Sequence, residues 1–393
     1  MSTELLENPI HTGTQPILGQ SPHQVRVVRS CAEFSQMRTE WDGFIQRCGL
    51  QNLAMSHGWL NLWLSHFPPK KLFIVIVQDA NGEWLGVAPL QIKPSRNGLT
   101  HRLLQAVEWI GTNPTVFDWM QFMIHPVADE RTIVNTIADA LQQEQWDLLE
   151  LKFCLNHQQL EWLVAALPGD NSNSMTETNA IPYVELPATV EAYEANRRKK
   201  TRLEVNRHTN RFIREFDAPP TLTFVSSSEA TDATLTRFFA GHIKYWAERG
   251  QKSDFQRFPD LFEFYKDMLA YSDTQAGPDD PKLLLSVMTI QDYQLSYHLG
   301  FWQGDSYLSH LTSYNQGFKG YSPGTIHMDR LIFETLERGG SLFEFGRGDE
   351  PYKTMWTKIK KPLFQIRIFR NPISAALWQV DILLKKLLKK GSE

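Results

Sequence analysis

The stretch that decides the fold is residues 307–356, YLSHLTSYNQGFKGYSPGTIHMDRLIFETLERGGSLFEFGRGDEPYKTMW. Its opening YLSHLTSY is dense in β-forming residues and predicts a strand. Residues 323–338 predict a helix with Pro323 in its first turn, and SLFEFG predicts a second strand. Between the first strand and the helix lies a turn with Gly317, Gly320 and Gly324, a cation at Lys319, hydroxyls at Ser322 and Thr325, and no acid before Asp329. A helix N-terminus offers unpaired N–H groups and about half a positive charge, so it receives a pyrophosphate where the backbone is approachable and no acid competes. Ser-Pro-Gly also makes an ordinary tight turn before a helix, so the glycines alone do not decide between the two readings.

Working outward, helical patterns run through residues 189–217, 229–248 and 260–271. KLLLSVMTI and QLSYHLGFW then predict strands leading into Tyr307. The first half shows the same order. Two amphipathic helices between residues 33 and 66 carry Phe34, Met37, Trp41, Phe44 and Ile45, then Trp59, Leu60, Trp63 and Leu64, an aromatic stripe that belongs to a core. KLFIVIVQD and WLGVAPLQI flank an Asn81-Gly82 hairpin turn, FDWMQFMIH is a strand candidate, DERTIVNTIADALQQ a helix and WDLLELKF a strand. Here the turn before the helix reads HPVADERT, and Asp129 and Glu130 would cap the helix themselves and repel a phosphate. The expected organisation is a loose tail over residues 1–24, an α+β unit over 25–180, a second over 181–370 and a basic helix over 371–393. The polar stretch 168–179 serves as the boundary between the units. The fold class is α+β, each unit a mixed central sheet flanked by helices.

The chain has 393 residues, enough for two or three cores, and a formal net charge of −4. That average hides an uneven distribution. Residues 351–393 carry ten basic and two acidic side chains, a net +8, which leaves −12 on the first 350. Global attraction to nucleic acid is therefore not expected, and anionic partners must be met locally. Cys31, Cys48 and Cys154 are odd in number and dispersed, which suggests neither a disulfide framework nor a zinc site, and no metal is expected. The N-terminus lacks a signal-peptide pattern and no stretch is apolar enough to span a bilayer, so a cytoplasmic protein with at most peripheral attachment to the inner membrane face is expected.

The motifs Tyr321–Gly324 and Arg347–Lys353 resemble those of GNAT-type acyltransferases of the cellulose-biosynthesis CelD kind, bacterial proteins that look like tandem GNAT domains related in architecture to the Fem transferases. The resemblance covers roughly residues 185–360, and the first half follows only by its order of elements. It implies an acetyl-coenzyme A or other acyl-coenzyme A co-substrate, held by Tyr314, Lys319, Gly320, Ser322, Gly324 and Thr325, with pantetheine along residues 310–314. The first half would then be a degenerate partner shaping the acceptor cleft. It also implies as acceptor an amino group of a sugar or an envelope or exopolysaccharide precursor.

Acyl transfer to an amine needs a group to take the amine proton, donors for the oxyanion and an acid for the departing thiolate. The candidates are His310, Asp349 and Tyr352, with Arg347 and Lys353 for substrate binding. A lone strand histidine is commonly structural, and acids after Gly348 also pair with Arg347 or Lys353 to lock a loop.

Residues 197–214 form a basic helix read either as a solvated face with an apolar side of Leu203, Val205, Phe212 and Ile213, or as an acceptor-phosphate or RNA contact. NPISAALWQVDILLKKLLKKG predicts a helix capped by Asn371 and stopped by Gly391. Ile373, Leu377, Val380, Leu384, Leu387 and Leu388 lie on one stripe, fitted to an anionic membrane, to the protein itself or to another subunit. Two alternatives accompany the acyltransferase reading: a Fem-like transferase using aminoacyl-tRNA, and a non-catalytic scaffold of a membrane-bound polysaccharide synthase.

Overall fold

A computed structural model describes residues 23–50, 55–97, 102–112, 114, 119–168, 174–227, 232–276 and 280–390. Most of the expected N-terminal tail and Gly391 lie outside these residues. The chain begins β1 (Gln24–Val28), α1 (Cys31–Ser35), α2 (Arg38–Cys48), α3 (His57–His66), β2 (Lys71–Gln78), β3 (Trp84–Asn97), β4 (Arg102–Trp109), β5 (Met123–Ile124), α4 (Glu130–Gln142), β6 (Leu148–Cys154) and α5 (His157–Ala166). It continues β7 (Met175–Glu185), α6 (Val190–Asn196), α7 (Lys199–Phe216), β8 (Thr221–Val225), α8 (Asp232–Ala247), α9 (Asp254–Arg257) and α10 (Leu261–Thr274). The last elements are β9 (Lys282–Ile290), β10 (Tyr293–Gln303), β11 (Ser306–Tyr314), α11 (Pro323–Glu337), β12 (Leu342–Glu344), β13 (Lys360–Phe369) and α12 (Pro372–Lys390).

One mixed sheet runs in the order β1-β2-β3-β4-β6-β13-β7-β12-β11-β10-β9-β8, with β5 paired to β3. The fold is the expected α+β class, a large mixed sheet flanked by helices. Two strands in its middle were not expected. Met175–Asn179 belong to β7 rather than to a boundary loop, and residues 169–173 lie outside the described set. β7 pairs with β13 through Pro182 and with β12 from Tyr183 onward, so the 180/181 division falls inside a strand shared by both sides. The outer part of β7 is exposed, so its pairing comes from the backbone ladder and leaves no alternating apolar pattern in the sequence. The strand candidate FDWMQFMIH is reduced among the described residues to the two-residue β5, and the two helices expected between residues 33 and 66 are three.

The halves share one core. Trp59 of α3 meets Phe264 and Phe301 edge-on at 4.8 and 6.0 Å, and Arg38 of α2 binds Asp280 at 3.0 Å and Tyr271 at 3.2 Å. Gly58 permits this approach, since a Cβ there would lie 1.9 Å from the Tyr271 hydroxyl. Much of the C-terminal positive charge is used inside the fold. Lys361 pairs with Glu344 at 2.8 Å, Arg367 with the buried Glu150 at 2.7 Å through Nε, and Arg370 donates to the Gln142 carbonyl at 2.8 Å.

In the first half, Asp129 caps α4 by accepting from the Thr132 N–H at 2.8 Å, and Glu130 accepts from Gln159 at 2.8 Å, as the acidic turn implied. In the second half, the β10–β11 ladder pairs Leu299 with Leu311 and Gly300 with Ser309, which leaves His310 as the extra residue of a β-bulge. A Cβ on Gly300 would stand 2.2 Å from the Tyr307 hydroxyl and 2.8 Å from the Leu308 carbonyl oxygen. Because Tyr307 is buried and stacked on Phe343, it cannot retreat. Gly300→Ala is expected to cost about 1–3 kcal/mol, the usual penalty of overpacking, read as a lower urea midpoint at an unchanged slope.

Candidate active site

A cavity of about 650 Å³ opens among α8, α9, the ends of β10 and β11, the start of α11 and residues 345–356, with Trp119 contributed by the first half. Its shape follows from a parting of strands. β12 pairs with β11 only through Ser306–Leu308, whereas β11 stays on β10 through Tyr314. The chain leaves β12 at Gly346, whose φ of +66° and close approach to the Ser309 carbonyl oxygen, 2.8 Å from where a Cβ would sit, require glycine. From Ser309 onward, no described strand covers that edge of β11. An uncovered edge offers backbone groups to an extended ligand lying as a strand would.

At the end of this opening, Ser322 takes a left-handed conformation, φ 52° and ψ 52°, just before Pro323 starts α11. No side chain caps that helix and its first turn holds no acid, in contrast to α4. A Cβ on Gly324 would meet nothing within 4 Å, and Lys319, Ser322, Gly324 and Thr325 all line the cavity. The arrangement suits an anion, with N–H groups, a helix dipole, a hydroxyl and an ammonium on one wall. Gly320 is not on that wall; its carbonyl accepts from Arg211 of α7, whose guanidinium lies 4.1 Å from the Tyr321 ring centre.

His310, Tyr314, Arg347, Tyr352 and Lys353 also line the cavity, but their surroundings sort them. Lys353 is buried and its ammonium donates to the carbonyls of Gly346, Arg347 and Gly348 at 3.1, 2.8 and 3.4 Å and pairs with Glu350 at 2.8 Å. These partners make it the anchor of the loop after β12 rather than a ligand for substrate. Asp349 is absent from the wall and faces Lys360 at 3.3 Å on the surface. Its neighbour Glu350 is at the wall instead, as is Asp254 of α9. Arg347 lies over the Phe153 ring of the first half, 3.9 Å from its centre. Tyr352 retains 42% of its surface, and desolvation by the wall together with Glu350 pushes its phenol up, which keeps it protonated at neutral pH.

Four histidines converge here, of which the sequence singled out one. His310 Nε2 is 2.7 Å from the Tyr265 hydroxyl, and His242 Nδ1 is 2.9 Å from Ser253 Oγ. His298 lies between Ser309 Oγ at 2.9 Å and the Tyr307 hydroxyl at 3.1 Å, and His327 between Ser286 at 2.9 Å and Ser296 at 2.8 Å. Burial drives all four down, His242 to about 4, His310 and His327 to about 3, with Arg347 and His242 adding repulsion at His310. They are therefore neutral hydrogen-bonding groups at physiological pH.

An unfolded histidine titrates near 6.5, so below that pH unfolding takes up protons at these four sites and stability falls as pH drops. Asp329, raised to about 6 by burial against the pull of Arg197, acts oppositely in the same window but is one group against four. Stability, and with it the unfolding midpoint, is expected to fall from pH 7 to 5, by about 2 kcal/mol for each histidine over that range before that offset. His310→Gln should make the pH dependence shallower; an unchanged slope would show that His310 is not held neutral.

Residues 199–354 match the family model described as an acetyltransferase (GNAT) domain. No curated protein sequence matches the chain. Similar solved structures include FemX, at 12% identity with a TM-score of 0.54 over 87% of this chain and 98% of that one. A conserved protein of unknown function from Bacteroides thetaiotaomicron has 11% identity and a TM-score of 0.52, over 86% and 97% of the two chains. L-PGS from Bacillus licheniformis has 12% identity and a TM-score of 0.50, over 89% and 96%. At such identities these likenesses concern the fold alone. Residues 199–354 thus match a GNAT acetyltransferase domain model, and the likeness in fold to these solved structures extends over most of the chain.

Proposed function

We propose that the protein is an acyl-coenzyme A dependent acyltransferase that acylates an amino group of a sugar or of an envelope or exopolysaccharide precursor. The observation that carries this reading is the uncapped, acid-free N-terminus of α11 standing at the end of the uncovered β11 edge in one cavity. An acyl-coenzyme A would bring a pyrophosphate for the first feature, an extended pantetheine for the second, and an electrophilic thioester carbonyl. Lys319, Ser322, Gly324 and Thr325 hold the pyrophosphate in this reading, and Tyr314 borders the pantetheine. Gly320 supports the turn through Arg211 instead of touching the ligand.

Tyr352, protonated at neutral pH, is the donor to the departing thiolate. His310, aimed by the bulge and hydrogen-bonded to Tyr265, stays unprotonated and accepts a hydrogen bond from the attacking amine. Its low basicity suits a relay better than a final proton acceptor. Glu350 takes the role expected of Asp349, and Arg347 lines the same cavity. In domain terms, residues 25–180 form the partner unit that closes the acceptor side and 181–370 the cofactor-binding unit. The closer likeness to the cellulose-biosynthesis branch, and with it the sugar acceptor, rests on Tyr321–Gly324 and Arg347–Lys353.

The Fem-like alternative would place tRNA on residues 197–214. Several basic groups of that segment are engaged within the protein: Arg197 with Asp329 and Glu194, Arg198 with the Thr354 carbonyl, and Arg211 with Gly320. This favours the coenzyme A reading.

Calorimetry should show acetyl- or another acyl-coenzyme A binding to the wild type and no binding to Gly324→Asp, whose carboxylate would occupy the anion site. No binding by the wild type would overturn the reading, and binding that survives the substitution would move the site elsewhere. Tyr352→Phe should leave that affinity intact and lower kcat about 100-fold, the scale of a lost general acid, in steady-state assays with a panel of amine acceptors.

A further inference from the structure

The last helix directs its apolar stripe away from the protein. α12 is tied to the sheet by one side of its first two turns. Ser374 is buried, and Trp378 packs 5.9 Å from the Phe369 ring and 4.8 Å from the Arg367 guanidinium. At 100° per residue, Ile373, Val380 and Leu384 fall within a 40° band centred roughly 120° from Ser374 and Trp378. The band faces solvent: Ile373 is 64% exposed, Val380 47% and Leu384 40%, and Leu383 beside it is 59% exposed. Ile373, Val380 and Leu384 are therefore not docked on their own protein.

Charge selects among the remaining partners. Over Pro372–Lys390 the sequence holds four lysines, Lys385, Lys386, Lys389 and Lys390, against the single acid Asp381. At 100° per residue none of the four lysine positions falls within the apolar band. An anionic lipid surface suits both features, acyl chains meeting the apolar band and headgroups attracting the net positive helix, whereas a second copy of the same basic helix offers the lysines no counter-charge. The helix cannot cross a bilayer: among the described residues none is long and apolar enough.

We propose that α12 is a docking helix for an anionic membrane surface, on which it lies in the interfacial plane. The sheet gives this docking a direction. β13 runs antiparallel to β7, β7 antiparallel to β12, and β12 parallel to β11, so β13 and β11 point the same way. Phe369, which leads into α12, and Tyr314, at the cavity, therefore lie toward the same end of the sheet. A surface held by α12 lies on the cavity's side of the protein. The inference is independent of the acyl donor.

The test is flotation of the full-length protein with vesicles of phosphatidylcholine containing roughly one quarter phosphatidylglycerol, and with phosphatidylcholine alone. Binding is expected to the anionic vesicles only and to weaken with added salt. The double variant Val380→Asp with Leu384→Asp alters exposed positions, so its unfolding midpoint should match the wild type while its vesicle binding falls at least tenfold. Replacing Lys385, Lys386, Lys389 and Lys390 by Gln should lower binding roughly fivefold per lysine and remove the preference for anionic lipid. Absence of binding by the wild type, or equal binding by the double variant, overturns the proposal. So does a dimer in sedimentation that the double variant dissolves, which would assign the stripe to a second copy.

Discussion

The separation of β12 from β11 after Leu308 is the constraint on which the rest of the site depends. Up to that point the two strands pair in parallel; beyond it, β11 is held from one side only. The separation is enforced by Gly346, whose backbone turns through a left-handed conformation against the Ser309 carbonyl. Lys353 holds the departing loop by drawing three successive carbonyls and Glu350 onto one buried ammonium. The bulge at His310 lies where the second neighbour is lost, so a polar side chain is re-aimed at the place where backbone groups come free. Edge, bulge and loop are one local solution, and the cavity is its consequence.

The two halves of the chain differ at one helix terminus. In the first, Asp129 satisfies the N–H groups of α4 and Glu130 is held by Gln159. In the second, Ser322 opens α11 without a side-chain cap and with no acid in the first turn. The same architectural position is thus closed by carboxylates in one half and left receptive in the other. The halves are nevertheless not separable bodies, since β13 inserts between β6 and β7, and α3 packs into the core beside α10. A cavity wall that contains Trp119 follows from this arrangement.

The polar interior behind the cavity is neutral by construction. His298 and His327 are each satisfied on both ring nitrogens by hydroxyls, which permits burial without charge. An ionised group in the same place would need a buried counter-ion and would cost several kcal/mol to desolvate. Keeping these rings neutral leaves the positive character of the lining to the helix N-terminus and to cations such as Lys319, Lys252, Arg257 and Arg347.

The strand, glycine turn and helix of residues 307–338 were legible in the sequence because their signals are local. β-forming residues, Ser-Pro-Gly and an acid-free first turn act within a few positions of one another. The two core-forming helical stripes and the self-capped turn at Asp129 were legible for the same reason. β7 and β13 were not, because their exposed, charged residues are paired by backbone ladders to strands distant in sequence. Between the adjacent acids Asp349 and Glu350, composition cannot choose; the turn held by Lys353 puts one on the wall and the other beside Lys360. The amphipathic character of α12 was written in its sequence, but which way its apolar stripe points depends on Ser374 and Trp378 meeting the end of β13. Sequence by itself determined the helices and strands whose signals are local, and the charge they carry, through short-range sterics and capping. Tertiary structure decided which groups share a cavity and which faces meet water, because those depend on long-range strand pairing and on the space that packing leaves.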